Sequence, residues 1–148
     1  MSSSTDIGYA GDVSAQAAWE SLAASAEALL VDVRTRAEWT YVGAPVLSDI
    51  GKETVFVAWN DFDTGTRVPD FLGRLNAAVA AAEGGKDSPI YFICRSGARS
   101  RNAAIMATEG GYTRCYNVDH GFEGDLGPDG HRGTAGSWKA EGLPWAQS

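Results

Sequence analysis

The stretch of this chain best equipped for chemistry is Cys94-Arg95-Ser96-Gly97-Ala98-Arg99-Ser100. A thiolate is a strong nucleophile and a thiol a poor one, so a working cysteine needs positive potential around its sulfur. A short glycine-containing turn follows Cys94 and feeds a helix. Successive backbone N–H groups in such a turn form an anion-binding nest, and the helix end adds about half a positive charge. The amides from Arg95 through Ala98 to Arg99 supply that nest, and the two arginines add two full charges. Gly97 permits a backbone dihedral that other residues resist. Ser96 and Ser100 are candidates to hydrogen-bond the sulfur, with capping of the helix as the alternative for Ser100.

Other reactive side chains are few. Cys115 follows Arg114 in an apolar run and reads as a small packed hydrophobe, with a resolving role against Cys94 as the alternative. His120 and His131 stand apart, and neither cysteine belongs to a CxxC pair, so no metal site and no cofactor are expected. With two cysteines a dense disulfide framework is excluded, and a reducing, cytoplasmic setting is the expectation.

The chain has 148 residues, room for one domain. Its hydrophobic content of 44% against 21% charged residues fits a folded chain rather than a disordered one. A net charge of −7 argues against nucleic acid as a partner. No apolar run approaches the roughly 18 residues of a membrane span, and the polar start has no signal-peptide pattern.

The elements that must position Cys94 follow from periodicity. Residues 1–11 are polar and read as a flexible lead, with the domain over 12–148. Trp19, Leu22, Ala26 and Leu29 recur at helical spacing, with Ser14 or Asp12 as N-cap. Leu29–Val33, Val55–Trp59, Ile90–Cys94 and Cys115–Val118 are short apolar runs that predict buried strands. Phe71, Leu75, Val79 and Ala82 predict a helix behind Pro69 and ahead of Gly84-Gly85, and Ser100–Glu109 predicts another. This alternation implies an α/β domain with a central, mainly parallel sheet and helices on both faces. Cys94 then sits at the carboxyl end of a buried strand, where open α/β sheets place their ligands.

The cysteine loop resembles the active-site loop of single-domain rhodanese-like sulfurtransferases. Leu30-Val31-Asp32-Val33-Arg34 with Glu38-Trp39 is similar to the family's first strand and turn. Gly111-Tyr112, Tyr116-Asn117-Val118 and Gly121-Phe122 resemble its closing strand and glycine turn, and Trp138-Lys139 with Gly142-Leu143-Pro144 its tail. The resemblance implies that Cys94 is the nucleophile and becomes a persulfide. It implies pocket roles for Arg95, Ser96, Gly97, Ala98, Arg99 and Ser100, with Asp32 and Arg34 in support. Arg95 is expected at the pocket mouth, and Arg99 is expected to brace the loop against Asp32. The implied partners are a small-molecule sulfur donor such as thiosulfate and a thiol or cyanide acceptor, with a protein as a further acceptor.

The sequence departs from the pattern at residues 59–70 and 121–137, which are longer than expected and are read as insertions walling the pocket. The family's histidine after the Glu-aromatic pair is absent, leaving only Gly43-Ala44. Related phosphatases place an arginine six positions after the cysteine. Here the sixth position is Ser100 and Arg99 comes one early, which favours sulfur transfer over a cysteine phosphatase or arsenate reductase, although Arg101 complicates the register. A persulfide carrier or sensing module without turnover is the other alternative.

Overall fold

The computed structural model describes residues 8–60, 68–124 and 137–147. Its strands are Gly11–Val13 (β1), Leu29–Asp32 (β2), Ala44–Pro45 (β3), Val55–Phe56 (β4), Ile90–Ile93 (β5), Cys115–Val118 (β6) and Trp145–Ala146 (β7). Its helices are Ala15–Ala24 (α1), Arg36–Tyr41 (α2), Phe71–Ala81 (α3) and Ala98–Glu109 (α4). Five strands pair in parallel in the order β1-β6-β5-β2-β4.

A central parallel strand is covered on both faces and sends alternate side chains to each. Val31, Ile90, Phe92 and Cys94 face Phe71, Leu75 and Val79 of α3 and Ala103, Ala104 and Ala107 of α4. Leu30, Tyr91, Ile93 and Val118 face Ala15, Ala18 and Leu22 of α1, together with Phe122 and Trp138. The fold is therefore the expected α/β sandwich, helices on both faces of a parallel sheet. Full burial of a side chain such as Phe71 or Leu75 stabilises by roughly 1.5–3 kcal/mol. No helix among the described residues is long and apolar enough to cross a membrane.

Helix ends settle two open points. Ser14 Oγ accepts the Ala17 N–H at 3.0 Å, so Ser14 and not Asp12 caps α1. The α4 helix starts at Ala98, two residues ahead of the expected Ser100, because Gly97 turns the chain with φ 111°. Trp138 packs in the core, with its indole N–H donating to the Pro144 carbonyl at 2.7 Å, whereas Trp145 is 40% exposed.

Three features depart from the sequence expectation. Residues 9–11 of the expected lead belong to the folded domain: Tyr9 is buried, the Ala10 N–H donates to the Cys115 carbonyl and Gly11 pairs with Tyr116. The sheet edge at β6 recruits these residues; residues 1–7 lie outside the described ones. The helix α2 was not foreseen, nor was the antiparallel β3–β7 pair that ties the tail to the segment after α2. Both insertions are closed at the neck: Val68 N–H donates to Trp59 O, and Trp138 N–H to Gly121 O. The segments between, 61–67 and 125–136, lie outside the described residues, and His131 with them.

At the end of β2, Asp32 and Arg34 form an ion pair with both side chains fully buried. Arg34 Nε and Nη2 reach the two carboxylate oxygens at 3.0 and 2.7 Å, and Nη2 also donates to the Gly43 carbonyl at 2.7 Å. The guanidinium lies 4.2 Å over the Phe122 ring. Removing one member of such a pair leaves an uncompensated buried charge. Asp32→Ala is therefore expected to lower the free energy of unfolding by roughly 3–5 kcal/mol in denaturant titration, while Ala substitution of the exposed Glu20 changes it by about 0.5 kcal/mol or less.

Candidate active site

The strand β5 delivers Cys94 one residue past its last sheet pairing, at the carboxyl edge of the sheet. The side chain is 1% exposed and its inner side touches the core cluster beneath α3 and α4. Two polar groups meet the sulfur. The Gly97 N–H donates to Sγ at 3.1 Å, and Ser100 Oγ lies 3.2 Å from it. One amide of the expected nest thus points at the sulfur, and one of the two expected hydroxyls, that of Ser100, lies beside it.

The loop keeps this shape because a second turn presses on it. A Cβ on Gly97 would sit 2.1 Å from the Asp119 carbonyl oxygen, and one on Gly121 would sit 2.5 Å from the Cys94 carbonyl oxygen. Phe122 N–H donates to the Cys94 carbonyl at 2.8 Å, and the Glu123 and Gly124 N–H groups to the Arg95 carbonyl at 2.9 and 3.0 Å. The Arg95 side chain is exposed at this edge, Ser96 is half-buried and Ala98 is exposed.

Arg99 does brace the loop, but against Glu38 rather than Asp32. Its Nη1 and Nη2 donate to Glu38 Oε1 and Oε2 at 2.7 and 2.9 Å, and Nη1 also reaches Asn60 Oδ1 at 3.3 Å. Asp32 is unable to serve because its carboxylate is bound to Arg34 in the layer below. Glu38 is itself fixed by a capping box at the start of α2, where the Thr35 hydroxyl accepts the Glu38 N–H and Glu38 Oε1 accepts the Thr35 N–H. Burial pushes the Glu38 carboxyl up, yet the bonds and charge of Arg99, with the help of Thr35, outweigh it and hold the carboxyl at about 2. Burial works against the Arg99 cation; Glu38 outweighs that too, with Cys94 and Asp32 adding to the upward shift.

Other candidates fall away by position. Cys115 pairs with Ile90, and Cys94 lies four residues further along that strand, about 13 Å away at ~3.3 Å per residue. A resolving role is therefore out of reach, and burial pushes the Cys115 thiol up to about 11. His120 is exposed beside the glycine turn, 3.8 Å from Asp119 Oδ1. Two contributors escaped the sequence reading. Glu38 was legible through its spacing to Thr35, the capping-box signal. Asn117 stands in the Tyr116-Asn117-Val118 run, but nothing in the sequence marks its side chain as the partner of Ser100.

The parallel α/β sheet with a cysteine loop wrapped at its carboxyl edge matches the rhodanese-like fold. Residues 10–148 match the family described as STR4 middle domain, and the chain belongs to that family. The chain is similar to Rv0390 from M. tuberculosis, whose crystal structure superposes with a TM-score of 0.83 at 48% identity, covering 95% of this chain and 99% of that one. It is 39% identical over 131 residues to a Rickettsia conorii protein known as uncharacterized protein RC0915, covering 86% and 90% of the two. It is 26% identical over 137 residues to the chloroplastic rhodanese-like domain-containing protein 4 of Arabidopsis thaliana, covering 93% of this chain and 26% of that protein.

The Glu38 ionisation gives a signed pH prediction. A carboxyl held below its ordinary 4.5 contributes stability that is complete above that value and is lost as pH falls toward about 2. Glu38→Gln is expected to cost roughly 1–3 kcal/mol at pH 7. The gap to the unaltered chain should close between pH 4.5 and about 2, as seen in urea unfolding at each pH.

Proposed function

We infer that this domain is a sulfurtransferase that carries a sulfane sulfur as a persulfide on Cys94. The observation that carries this reading is the Cys94 sulfur at the sheet's carboxyl edge, met by the Gly97 amide in a loop braced by Arg99 and Glu38. Thiosulfate is the proposed donor. The Cys94 thiolate attacks its outer sulfur, the bond from that sulfur to the sulfite sulfur breaks, and sulfite leaves with the electron pair. The negative charge then resides on the outer sulfur of Cys94–S–S⁻. Cyanide or a thiolate attacks that sulfur in turn, the S–S bond breaks, and Cys94 recovers its thiolate. This is nucleophilic, ping-pong catalysis.

Electrostatics sets the demand on the site. A thiolate and one negative charge about 4 Å apart repel by ~4 kcal/mol at an effective dielectric of 20. Thiosulfate brings two such charges, and the loop amides and the exposed Arg95 are the groups placed to offset them. Arg99 serves the loop's shape, since both its terminal nitrogens are bound to Glu38. That pairing weighs against a cysteine phosphatase or arsenate reductase, which needs an arginine turned onto the oxyanion. The cytoplasm, where two free cysteines stay reduced, is the proposed setting, and a protein thiol is a further proposed acceptor.

Incubation with thiosulfate, followed by intact-mass measurement, is expected to add one sulfur, about 32 Da, to the native chain and none to Cys94→Ser, with the added sulfur lost to dithiothreitol. Thiocyanate formation with cyanide is expected to vanish in Cys94→Ser. A Cys94→Ser chain that still forms thiocyanate at the native rate overturns the reading. Stoichiometric loading without turnover would instead mark a persulfide carrier.

A further inference from the structure

Beyond the cysteine loop, a line of side-chain hydrogen bonds runs from the sulfur to the edge of the sheet. Ser100 Oγ lies 3.2 Å from Cys94 Sγ and 2.5 Å from Asn117 Oδ1. Asn117 Nδ2 donates to Asp12 Oδ1 at 3.0 Å, and the Tyr9 hydroxyl donates to the same oxygen at 2.7 Å. Ser100 and Asn117 are buried, Tyr9 is buried, and Asp12 is exposed on the edge strand β1. The β1–β6 register places Asp12 directly opposite Asn117.

Donor counting fixes the direction of this line. An ionised carboxylate only accepts, so Asp12 takes the amide N–H₂ of Asn117 and leaves its carbonyl oxygen facing Ser100. A serine hydroxyl has one proton. Given to Asn117 Oδ1, the nearer partner, that proton leaves an oxygen lone pair facing the sulfur. A lone pair suits an S–H donor or an uncharged Sγ, and it opposes a bare thiolate.

We propose that Asp12 and Asn117 are positioning residues that hold the Ser100 proton away from Cys94, so that Ser100 opposes charge on Sγ while the Gly97 amide favours it, and the balance tilts toward the loaded persulfide. The proposal rests on the sulfur-transfer reading for its purpose, since in a persulfide the charge has moved to the outer sulfur. Bringing Ser100 round to a thiolate would leave two buried oxygens in contact with no proton between them, a cost the loaded state avoids. The charged groups around the sulfur are Arg99, paired with Glu38, and Asp32, paired with Arg34; those near Asp12 are Tyr9, Arg101 and Asp119. Among the described residues, none of these bonds the side chain of Ser100. Burial, then the Asp12 hydrogen bond and charge, push the Tyr9 hydroxyl up to about 12, so it stays a donor to Asp12.

A double-mutant cycle read by alkylation tests this. The rate of Cys94 reaction with iodoacetamide, measured across pH, reports the thiolate fraction. Asn117→Leu is expected to raise the rate at neutral pH roughly tenfold, because the Ser100 proton is freed to bond the thiolate. Ser100→Ala is expected to change the native rate by about twofold or less, but to slow Asn117→Leu roughly tenfold. Equal slowing in both backgrounds would overturn the proposal, since the proton would then already lie on the sulfur. Asp12→Ala, which removes the acceptor of the Asn117 amide, guards against misfolding of the buried variant. Being exposed, it leaves the core intact while freeing Asn117 to rotate, and it should speed alkylation several-fold; an unchanged rate overturns the proposal. The cycle uses no sulfur donor, so failure of persulfide loading would defeat the sulfur-transfer reading without deciding this one.

Discussion

Two turns that approach closer than any side chain allows hold this site together. The loop after β5 and the turn after β6 meet backbone to backbone at Gly97 and Gly121, and three amides of residues 122–124 bond the carbonyls of Cys94 and Arg95. In a planar trans peptide the carbonyl and the N–H point opposite ways. Holding those two carbonyls fixes the Cys94–Arg95 and Arg95–Ser96 peptide planes at the base of the loop, and from that base the chain turns at Gly97, whose amide reaches the sulfur. A methyl group at either glycine would separate the turns and undo that orientation.

Charge is organised locally and against the whole. The chain carries a net −7, a field that repels an anionic donor. Arg99 cancels its charge against Glu38, and Arg34 against Asp32, so both guanidiniums fix geometry instead of supplying an attractive field. Within the cysteine loop, the exposed Arg95 and the amide dipoles are the positive groups that Glu38 does not take up. This division separates the loop's two arginines: Arg99 is tied to Glu38, and Arg95 is exposed.

The sheet's central strands were legible because each is a short, mainly apolar run: Ile90–Ile93 without a polar residue, Leu29–Asp32 ending on Asp32 and, more weakly, Cys115–Val118 with Asn117 inside it. The long helices announced themselves through Phe71, Leu75 and Val79 and through Ser14 at a cap. What escaped was short or set by distant partners. Strand β1 is three residues, Gly-Asp-Val, and is a strand only because β6 offers an edge. Strands β3 and β7 are two residues each and exist through each other. The Arg99 partner lies 61 residues away in sequence, and nothing in the loop itself distinguishes Glu38 from Asp32. Only the burial of Asp32 beneath Arg34 does so.

The central claim is that the Cys94 sulfur accepts a second sulfur at the mouth of the loop. A crystal structure of the protein after thiosulfate treatment tests it most directly. The account predicts one additional atom bonded to Cys94 Sγ at about 2.05 Å, facing the amides of residues 95–99. An unmodified Cys94 under conditions that place the added sulfur on Cys115 would contradict it.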